Sequence, residues 1–404
     1  VMNRVTDVMD CWFDSGSMPF AQYHYPFENK ELFESQFPAD FIAEGIDQTR
    51  GWFYSLLVIS TFVMGKSSYK NVVVNDLVLD KNGQKMHKSR GNAIAPMPIL
   101  EKYGADATRF FMLYSSPVWT PLKFDEDGIK EMISKFFNTL KNTYAFFQMY
   151  ANTDGIDPRE YKVKYEDLEE IDKWLLSKYN KLVKSVTISM DEYDLNKTTK
   201  SLLTFVTEDL SNWYIRRNRR RFWSSNLDNS KKGVYQTTYE VLVGVCEMLA
   251  PIAPFISDEL YIKLTGKKSV HLANYPKYNE KLVNEKIEKR MDLIRELISI
   301  GRNIREEAKI KVRQPVSEIL IDGNNEDLIS DLVPLMKEEL NVKEIVFIKD
   351  LDQYMNFTVK PNFKEVGKIL GSKIKEFSQK LLELTNDKIS KLNNKENITI
   401  ELDG

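Results

Sequence analysis

The chain has 404 residues, of which 42% are hydrophobic and 29% charged, an ordinary globular composition that predicts about two to four domains. The net charge of −2 excludes a strong overall attraction to polyanions, so phosphate binding needs local basic patches. Two cysteines exclude a disulfide framework or a four-cysteine zinc site and favour a reducing cytoplasm, and no apolar run is long enough to span a bilayer.

Residues 1–125 alternate between strand and helix patterns. A buried strand ends at Gly45, helical spacing follows over 47–64, and a second strand covers 71–79. A loop rich in glycine and lysine then leads to a helix around 98–103. This alternation predicts a parallel, doubly wound α/β sheet, in which ligands bind beyond the carboxyl ends of the strands.

The rest of the chain predicts two further domains. Over 126–278, long amphipathic patterns predict an all-helical bundle, with helices at 129–150, 168–190, 195–223 and 233–264, the last interrupted by Pro251 and Pro254. Over 279–404 we expect a small α+β domain, with helices at 280–310, 326–340 and 364–387 and strands at 316–321, 344–348 and 354–359. Because the chain starts at Val1 without a methionine and 397–404 alternates like a strand, we interpret both ends as truncation points.

The loop after the second strand carries the first chemical motif, Lys85, Met86, His87, Lys88 and Ser89. Two lysines three residues apart on a loop flanked by glycines can place two ammonium charges on one polyphosphate. Such charges stabilise the negative charge that builds on departing pyrophosphate. The alternative is a solvated basic turn.

A second motif lies where the first strand meets its helix. Glu44 and Asp47 can accept hydrogen bonds from ribose hydroxyls beside Gly45, and Gln48 can donate to a carboxylate. Trp52 lies one helical turn after Gln48 and can form a wall of an apolar pocket. The alternative is a capping cluster at a helix N-terminus, where acidic residues are favourable in any case.

Three segments together resemble the isoleucyl-tRNA synthetase family of class I aminoacyl-tRNA synthetases, in its eukaryote-like group. Residues 85–92 resemble the KMSKS loop, with His87 in place of the first serine. Residues 44–53 resemble the segment that binds the aminoacyl-adenylate. Residues 7–17, which include Trp12, resemble the segment where the chain re-enters the catalytic fold after the editing domain.

The resemblance implies a role for each matching residue. Lys88 acts on the ATP phosphates in the transition state, with Lys85 in support, on a loop that includes Met86, His87 and Ser89. It further implies that Glu44, Gly45 and Asp47 contact ribose, that Gln48 meets the amino acid's carboxyl group, and that Trp12 and Trp52 line the isoleucine pocket. For Trp12 the structural alternative is plain core packing.

The resemblance also implies the domain layout and the activity. We expect a Rossmann-like catalytic half-domain at 1–125, an anticodon-binding bundle at 126–278, and a tRNA-contacting α+β domain at 279–404. The implied activity uses ATP with Mg²⁺ to form isoleucyl-adenylate and then charges tRNA(Ile). We expect a cytoplasmic monomer with no membrane partner.

Clustered arginines are the candidates for tRNA contact. Arginine can bind phosphate through two hydrogen bonds, and the aromatic residues of 211–223 can stack on bases. The alternatives are ion pairs with carboxylates of the bundle and a solvated charged face. The candidate residues are Arg216, Arg217, Arg220, Arg221, Arg302, Arg305 and Arg313.

One motif of the family is missing from this sequence. Class I synthetases have two histidines separated by two residues, whereas His24, His87 and His271 are far apart. We therefore expect a C-terminal portion that is inactive alone, with no metal site of its own and any zinc site outside it. Two other hypotheses stay open: a tRNA-binding paralogue without catalytic activity, and an enzyme similar to valyl-tRNA synthetase.

Overall fold

The computed structural model describes residues 2–8, 10–349, 354, 359–393 and 396–402. The chain divides into two compact units, Val1–Glu288 and Lys289–Gly404. This division falls within a long helix, and the boundaries expected after residues 125 and 278 stay predictions.

Short parallel strands and helices alternate over the first 125 residues. Their bounds are α1 Cys11–Gly16, α2 Met18–Ala21, α3 Lys30–Gln36, β1 Ala39–Gly45, α4 Trp52–Met64, β2 Tyr69–Asn75, β3 Val78–Leu79, α5 Pro96–Tyr103, α6 Ala105–Ser115 and β4 Leu122–Lys123. β1 pairs in parallel with β2, and β3 pairs in parallel with β4. Parallel pairing is confirmed, although the described residues form two separate two-stranded sheets here rather than one doubly wound sheet.

The strand predicted to run on to Leu79 breaks at Asp76, so that prediction is wrong. The backbone N–H of Asp76 donates to the carbonyl of Val118 (2.8 Å), and its carboxylate accepts from the N–H of Leu77 (2.7 Å). These two bonds take the chain out of the β1–β2 ladder and direct it towards β4. The loop 80–92 therefore follows the carboxyl end of a second strand pair.

A helical bundle follows in the same unit, as predicted. Its helices are α7 Glu126–Met132, α8 Asn138–Asp154, α9 Glu170–Asp191, α10 Leu195–Thr204, α11 Arg216–Trp223, α12 Asn229–Leu249 and α13 Pro254–Thr265, with π-helical turns at Ile133–Phe137 and Phe205–Ile215. Pro254 begins α13 because the first helical position needs no backbone N–H. Large aromatic side chains such as Trp174 and Tyr214 are fully buried in the core.

Hydrogen bonds connect α6 to the bundle. The guanidinium of Arg109 donates to the carbonyl of Ile252 (2.9 Å), and the carboxylate of Asp106 accepts from the N–H of Ile256 (2.8 Å). The side-chain amide of Asn196 donates to the carbonyl of Leu113 (2.9 Å). Direct bonds to backbone groups therefore hold α6 of the α/β part to α10 and to the start of α13.

The second unit is α+β, as predicted. Its elements are the greater part of α14 Glu285–Glu307, then β5 Val316–Asp322, α15 Glu326–Ile329, α16 Val333–Leu340, β6 Val342–Ile348, α17 Phe363–Leu370, α18 Ile374–Leu382 and α19 Asn386–Asn393. β5 and β6 pair in parallel across the α15–α16 connection. The strand expected at 354–359 falls largely outside the described residues. The one expected at 397–404 is wrong for 397–402, because alternation alone supplies no neighbouring strand to bond with.

Candidate functional site

The strand-to-helix motif places its polar side chains at the carboxyl end of β1. Glu44 and Asp47 are exposed, and Gln48 is half-buried at the entrance to α4. The side-chain oxygen of Gln48 accepts from the N–H of Trp52 (2.9 Å), and its amide donates to the carboxylate of Asp47 (3.0 Å). Gln48 thus caps the helix, as the structural alternative expected, while the carboxylates of Glu44 and Asp47 face solvent.

Both candidate pocket tryptophans lie beside this motif. The indole N–H of Trp52 donates to the carbonyl of Ser15 at the end of α1 (3.1 Å), and its ring packs on the cluster that includes Phe53. Trp12 is 45% exposed, which does not fit plain core packing. A Cβ at Gly51 would lie 2.8 Å from the Trp12 ring, so only glycine lets this indole approach the turn. The Trp12 ring therefore lies against the turn before α4, and the Trp52 indole lies against the end of α1.

The loop 80–92 has an ordered base. The Asp80 carboxylate is 9% exposed and accepts from the side-chain amide of Asn92 (2.8 Å) and from the backbone N–H groups of Gln84 (2.8 Å) and Asn82 (3.0 Å). The hydrogen bond from Asn92, followed by that from Gln84, holds the pKa of Asp80 below its usual value. Asp80 and Asn92 were not among the predicted site residues, although an aspartate and an asparagine flanking the motif are a usable signal.

The motif side chains of this loop divide between solvent and core. Lys85, His87, Lys88 and Ser89 are exposed, and neither lysine forms an ion pair with a carboxylate among the described residues. Met86 instead points inward. It lines an apolar cavity of about 230 Å³ together with residues of β3, the segment before α5, α5, α6 and the segment after β4: Val78, Ile94, Pro96, Ile99, Leu100, Thr108, Met112 and Phe124. The loop is therefore anchored through Met86 while its charges stay in solvent.

The arginine-rich helix α11 has one arginine committed to the core. Arg221 keeps 13% of its side chain exposed and donates to both carboxylate oxygens of Asp172 (2.7 and 2.8 Å) and to the hydroxyl of Ser230 (3.0 Å). The prediction that Arg221 contacts tRNA is corrected, because its hydrogen-bonding capacity serves the bundle. Arg220 and Trp223 are exposed on the same helix.

The other members of this segment, Arg216 and Arg217, are half-buried. The guanidinium of Arg216 donates to the carbonyl of Asn212 (2.8 Å) and lies 5.9 Å from the centre of the Trp213 ring. A cation over an indole face is a stabilising arrangement. Arg216, Arg217 and Arg220 stay predicted tRNA contacts.

The candidate arginines of the second unit also differ in how exposed they are. Arg305 is 4% exposed and donates to the carbonyls of Lys311 (2.8 Å) and Gln314, so the prediction of tRNA contact is corrected there too. Arg302 pairs with the buried carboxylate of Glu339 and keeps 43% of its side chain exposed. Arg313 is exposed. Arg302 and Arg313 stay predictions.

The described residues contain neither a group of three or more histidines, cysteines, aspartates or glutamates placed to hold a metal ion nor a helix long and apolar enough to cross a membrane. Cys11 is exposed and Cys246 is buried.

Two family models match the chain. Residues 1–125 match the family described as tRNA synthetases class I (I, L, M and V), and residues 172–320 match the anticodon-binding domain of tRNA ligase. Isoleucine-tRNA ligases from Cytophaga hutchinsonii and Clostridium novyi are 46% and 45% identical to it, over 96% and 100% of the chain. The chain belongs to the class I tRNA synthetase family. The resemblance to its isoleucyl members, predicted from three short motifs, is confirmed along the whole chain.

The same comparisons give the extent of the match. The chain spans 36% and 39% of these two isoleucine-tRNA ligases, so it covers little more than a third of the length of the curated relatives it matches. Solved class I synthetases share the fold. A chain of the ternary complex of Agrobacterium radiobacter K84 agnB2 LeuRS-tRNA-LeuAMS matches 70% of this chain and 34% of its own length, with a TM-score of 0.57 and 20% identity. Mycobacterium tuberculosis methionyl-tRNA synthetase with methionyl-adenylate matches 62% of this chain and 48% of its own, with a TM-score of 0.53 and 19% identity.

Proposed function

We propose that this chain supplies the phosphate-binding loop, the adenylate-binding motif and the tRNA-binding helices of an isoleucine-tRNA ligase. In the first step the carboxylate of isoleucine attacks the α-phosphorus of ATP, which enters with Mg²⁺, and the bond to pyrophosphate breaks. In the second step the isoleucyl group moves from AMP to tRNA(Ile). This reaction belongs to the full-length ligase, meaning a polypeptide of the relatives' length that contains these residues, and we expect it to work in the cytoplasm as a monomer.

The observation that carries the proposal is the state of Lys85 and Lys88. Both ammonium groups are exposed on a loop whose base is held by Asp80 and whose middle is anchored by Met86. Positive charges that are already in place where negative charge develops lower the activation barrier more than charges that must first be brought into position. Lysines placed in this way fit the departing pyrophosphate.

The carboxyl end of β1 fits the other half of the adenylate. Glu44 and Asp47 offer acceptors to ribose hydroxyls beside Gly45, where a missing side chain permits close approach. The amide of Gln48 reaches the amino acid's carboxyl group by exchanging its bond with Asp47. The rings of Trp12 and Trp52 supply the apolar wall for a branched aliphatic side chain.

Pyrophosphate exchange by the full-length ligase tests this assignment. Lys88→Ala should lower kcat by about 100-fold or more, because one preorganised charge is lost in the transition state. Lys81→Ala is the matched control, since Lys81 lies on the same loop outside the motif. Exchange should be faster with isoleucine than with valine. Full activity of Lys88→Ala, or a preference for valine, would refute the proposal.

The chain alone is expected to give no exchange, since it has no pair of histidines separated by two residues. Exchange by the isolated chain would show that the ATP site is complete without that motif.

We also propose that Arg216, Arg217 and Arg220 contact tRNA from α11, with Arg302 and Arg313 contributing from the second unit. A match to an anticodon-binding family over residues 172–320 supports this assignment. Arg220→Gln should weaken tRNA binding and reduce the slope of log affinity against log salt by about 0.7–0.9, which corresponds to one phosphate contact. An unchanged slope would contradict contact by Arg220.

A further inference from the structure

The loop that carries Lys85 and Lys88 is closed by a pair of side chains outside the KMSKS-like motif. Asp80 and Asn92 lie twelve positions apart, at the two ends of the loop, and their side chains meet at 2.8 Å. The Asp80 carboxylate also accepts from two backbone N–H groups on its own side of the loop, those of Asn82 and Gln84. One carboxylate therefore joins both ends of the loop.

Asn92 extends this link into the motif itself. Its side-chain oxygen accepts from the N–H of His87 (2.9 Å), and its amide donates to the carbonyl of Lys85 (3.3 Å) as well as to Asp80. Only an amide can accept from an N–H group and donate to a carboxylate and a carbonyl at the same time. The backbone is thereby held at Lys85 and one residue before Lys88.

We infer that Asp80 and Asn92 are positioning residues that hold the backbone of the loop so that Lys85 and Lys88 meet the pyrophosphate together. This inference deepens the proposed function and rests on it. Neither residue touches the reacting atoms. The pair limits the conformations of the loop. Without it, conformational entropy would be lost each time the loop became ordered during turnover.

Trypsin provides a test that does not depend on activity, because Lys81, Lys85, Lys88 and Arg90 are exposed cleavage sites within the loop. In the full 404-residue chain, Asn92→Asp sets two carboxylates against each other and should speed cleavage in the loop by about tenfold or more. Cleavage within the bundle and the melting temperature serve as measures of global folding and should not change.

A double substitution tests whether the hydrogen bond between positions 80 and 92 matters, rather than the identity of either residue. With Asp80→Asn and Asn92→Asp together, the amide at position 80 donates to the carboxylate at position 92, and that carboxylate still accepts from the N–H of His87. The bond to the carbonyl of Lys85 is lost, and a carboxylate oxygen faces that carbonyl instead, so rescue should be incomplete. The double variant should therefore return to within about threefold of the native cleavage rate. Asp40→Asn, which changes an exposed carboxylate on β1, should have no effect.

Pyrophosphate exchange in the full-length ligase completes the test. Asn92→Asp should lower kcat by about tenfold or more with little change in the KM for ATP, and the double variant should restore kcat. Native cleavage in Asn92→Asp, no rescue by the double variant, or accelerated cleavage with unchanged kcat would each overturn the inference. Full activity of Lys88→Ala would instead refute the proposed function, while the cleavage rates would still decide whether the loop is held by this pair.

Discussion

Removing the charge of Asp172 should destabilise the first unit more than the loss of any surface ion pair. Asp172 is fully buried in the first turn of α9. Its carboxylate accepts two hydrogen bonds from Arg221, one from the hydroxyl of Tyr214 (2.6 Å) and one from the N–H of Glu169 (3.2 Å). Burial raises the pKa of Tyr214, so its hydroxyl stays a donor across the working pH range.

The magnitude follows from what Asp172→Asn leaves behind. Arg221 keeps only 13% of its side chain exposed, and without the charge of Asp172 its remaining carboxylate partner is Glu169, which lies 3.4 Å away and is 45% exposed. Leaving one charge of a buried pair without its partner costs about 3–5 kcal/mol. At about 2 °C per kcal/mol for a large unit, the melting temperature should fall by roughly 6–10 °C.

Urea unfolding followed by circular dichroism, with a thermal scan, measures both quantities. Asp127→Asn is the matched control, because Asp127 pairs with Lys130 on the surface and its side chain is 79% exposed. The control should unfold like the native chain. If Asp172→Asn lowers the free energy of unfolding by less than about 1 kcal/mol, the reasoning is refuted, since water or neighbouring groups would then be compensating the guanidinium of Arg221.

Other regions of the chain give three further predictions. Burial raises the pKa of the Cys246 thiol to about 12, so at pH 8 a disulfide reagent should react rapidly with Cys11 alone. Rapid reaction of two thiols per chain would contradict the burial of Cys246. A Cβ at Gly244 in α12 would lie 1.8 Å from the Tyr179 hydroxyl in α9, so Gly244→Ala should lower the free energy of unfolding by about 1–3 kcal/mol. Unchanged urea unfolding would show that α9 and α12 can move apart. Because the pKa of Asp80 lies below its usual 3.8 in the folded chain, the hydrogen bonds of its carboxylate stabilise the loop above that pH and are lost as the pH falls through the lower value. The exchange rate of the peptide 80–92, relative to the intrinsic rate at the same pH, should therefore rise only below about pH 4. A rise in this relative rate already at pH 5 would contradict the assignment.

Local patterns were enough to predict most of the elements. Helical periodicity predicted the bundle helices, and Pro251 and Pro254 predicted the interruption that separates α12 from α13, because both signals depend on neighbours within a few residues. The strand break at Asp76 was missed because it depends on a carbonyl at position 118. The link between Asp80 and Asn92 was missed for a related reason: nothing in the sequence shows which carboxylate an asparagine will meet.

Helix geometry explains why the arginine-rich segment supported two opposing interpretations. Positions 214 and 221, two helical turns apart, fall on one face of a helix, and positions 216, 220 and 223 fall on another, since residues three or four apart are neighbours. On the first face Tyr214 and Arg221 converge on Asp172, and on the second Arg220 and Trp223 are exposed. One stripe of this run of arginines therefore holds the bundle together, while the other carries the exposed Arg220, a predicted tRNA contact. Loss of Arg221 should act on stability and loss of Arg220 on tRNA binding, a distinction that composition cannot make because it depends on where the helix meets its neighbours.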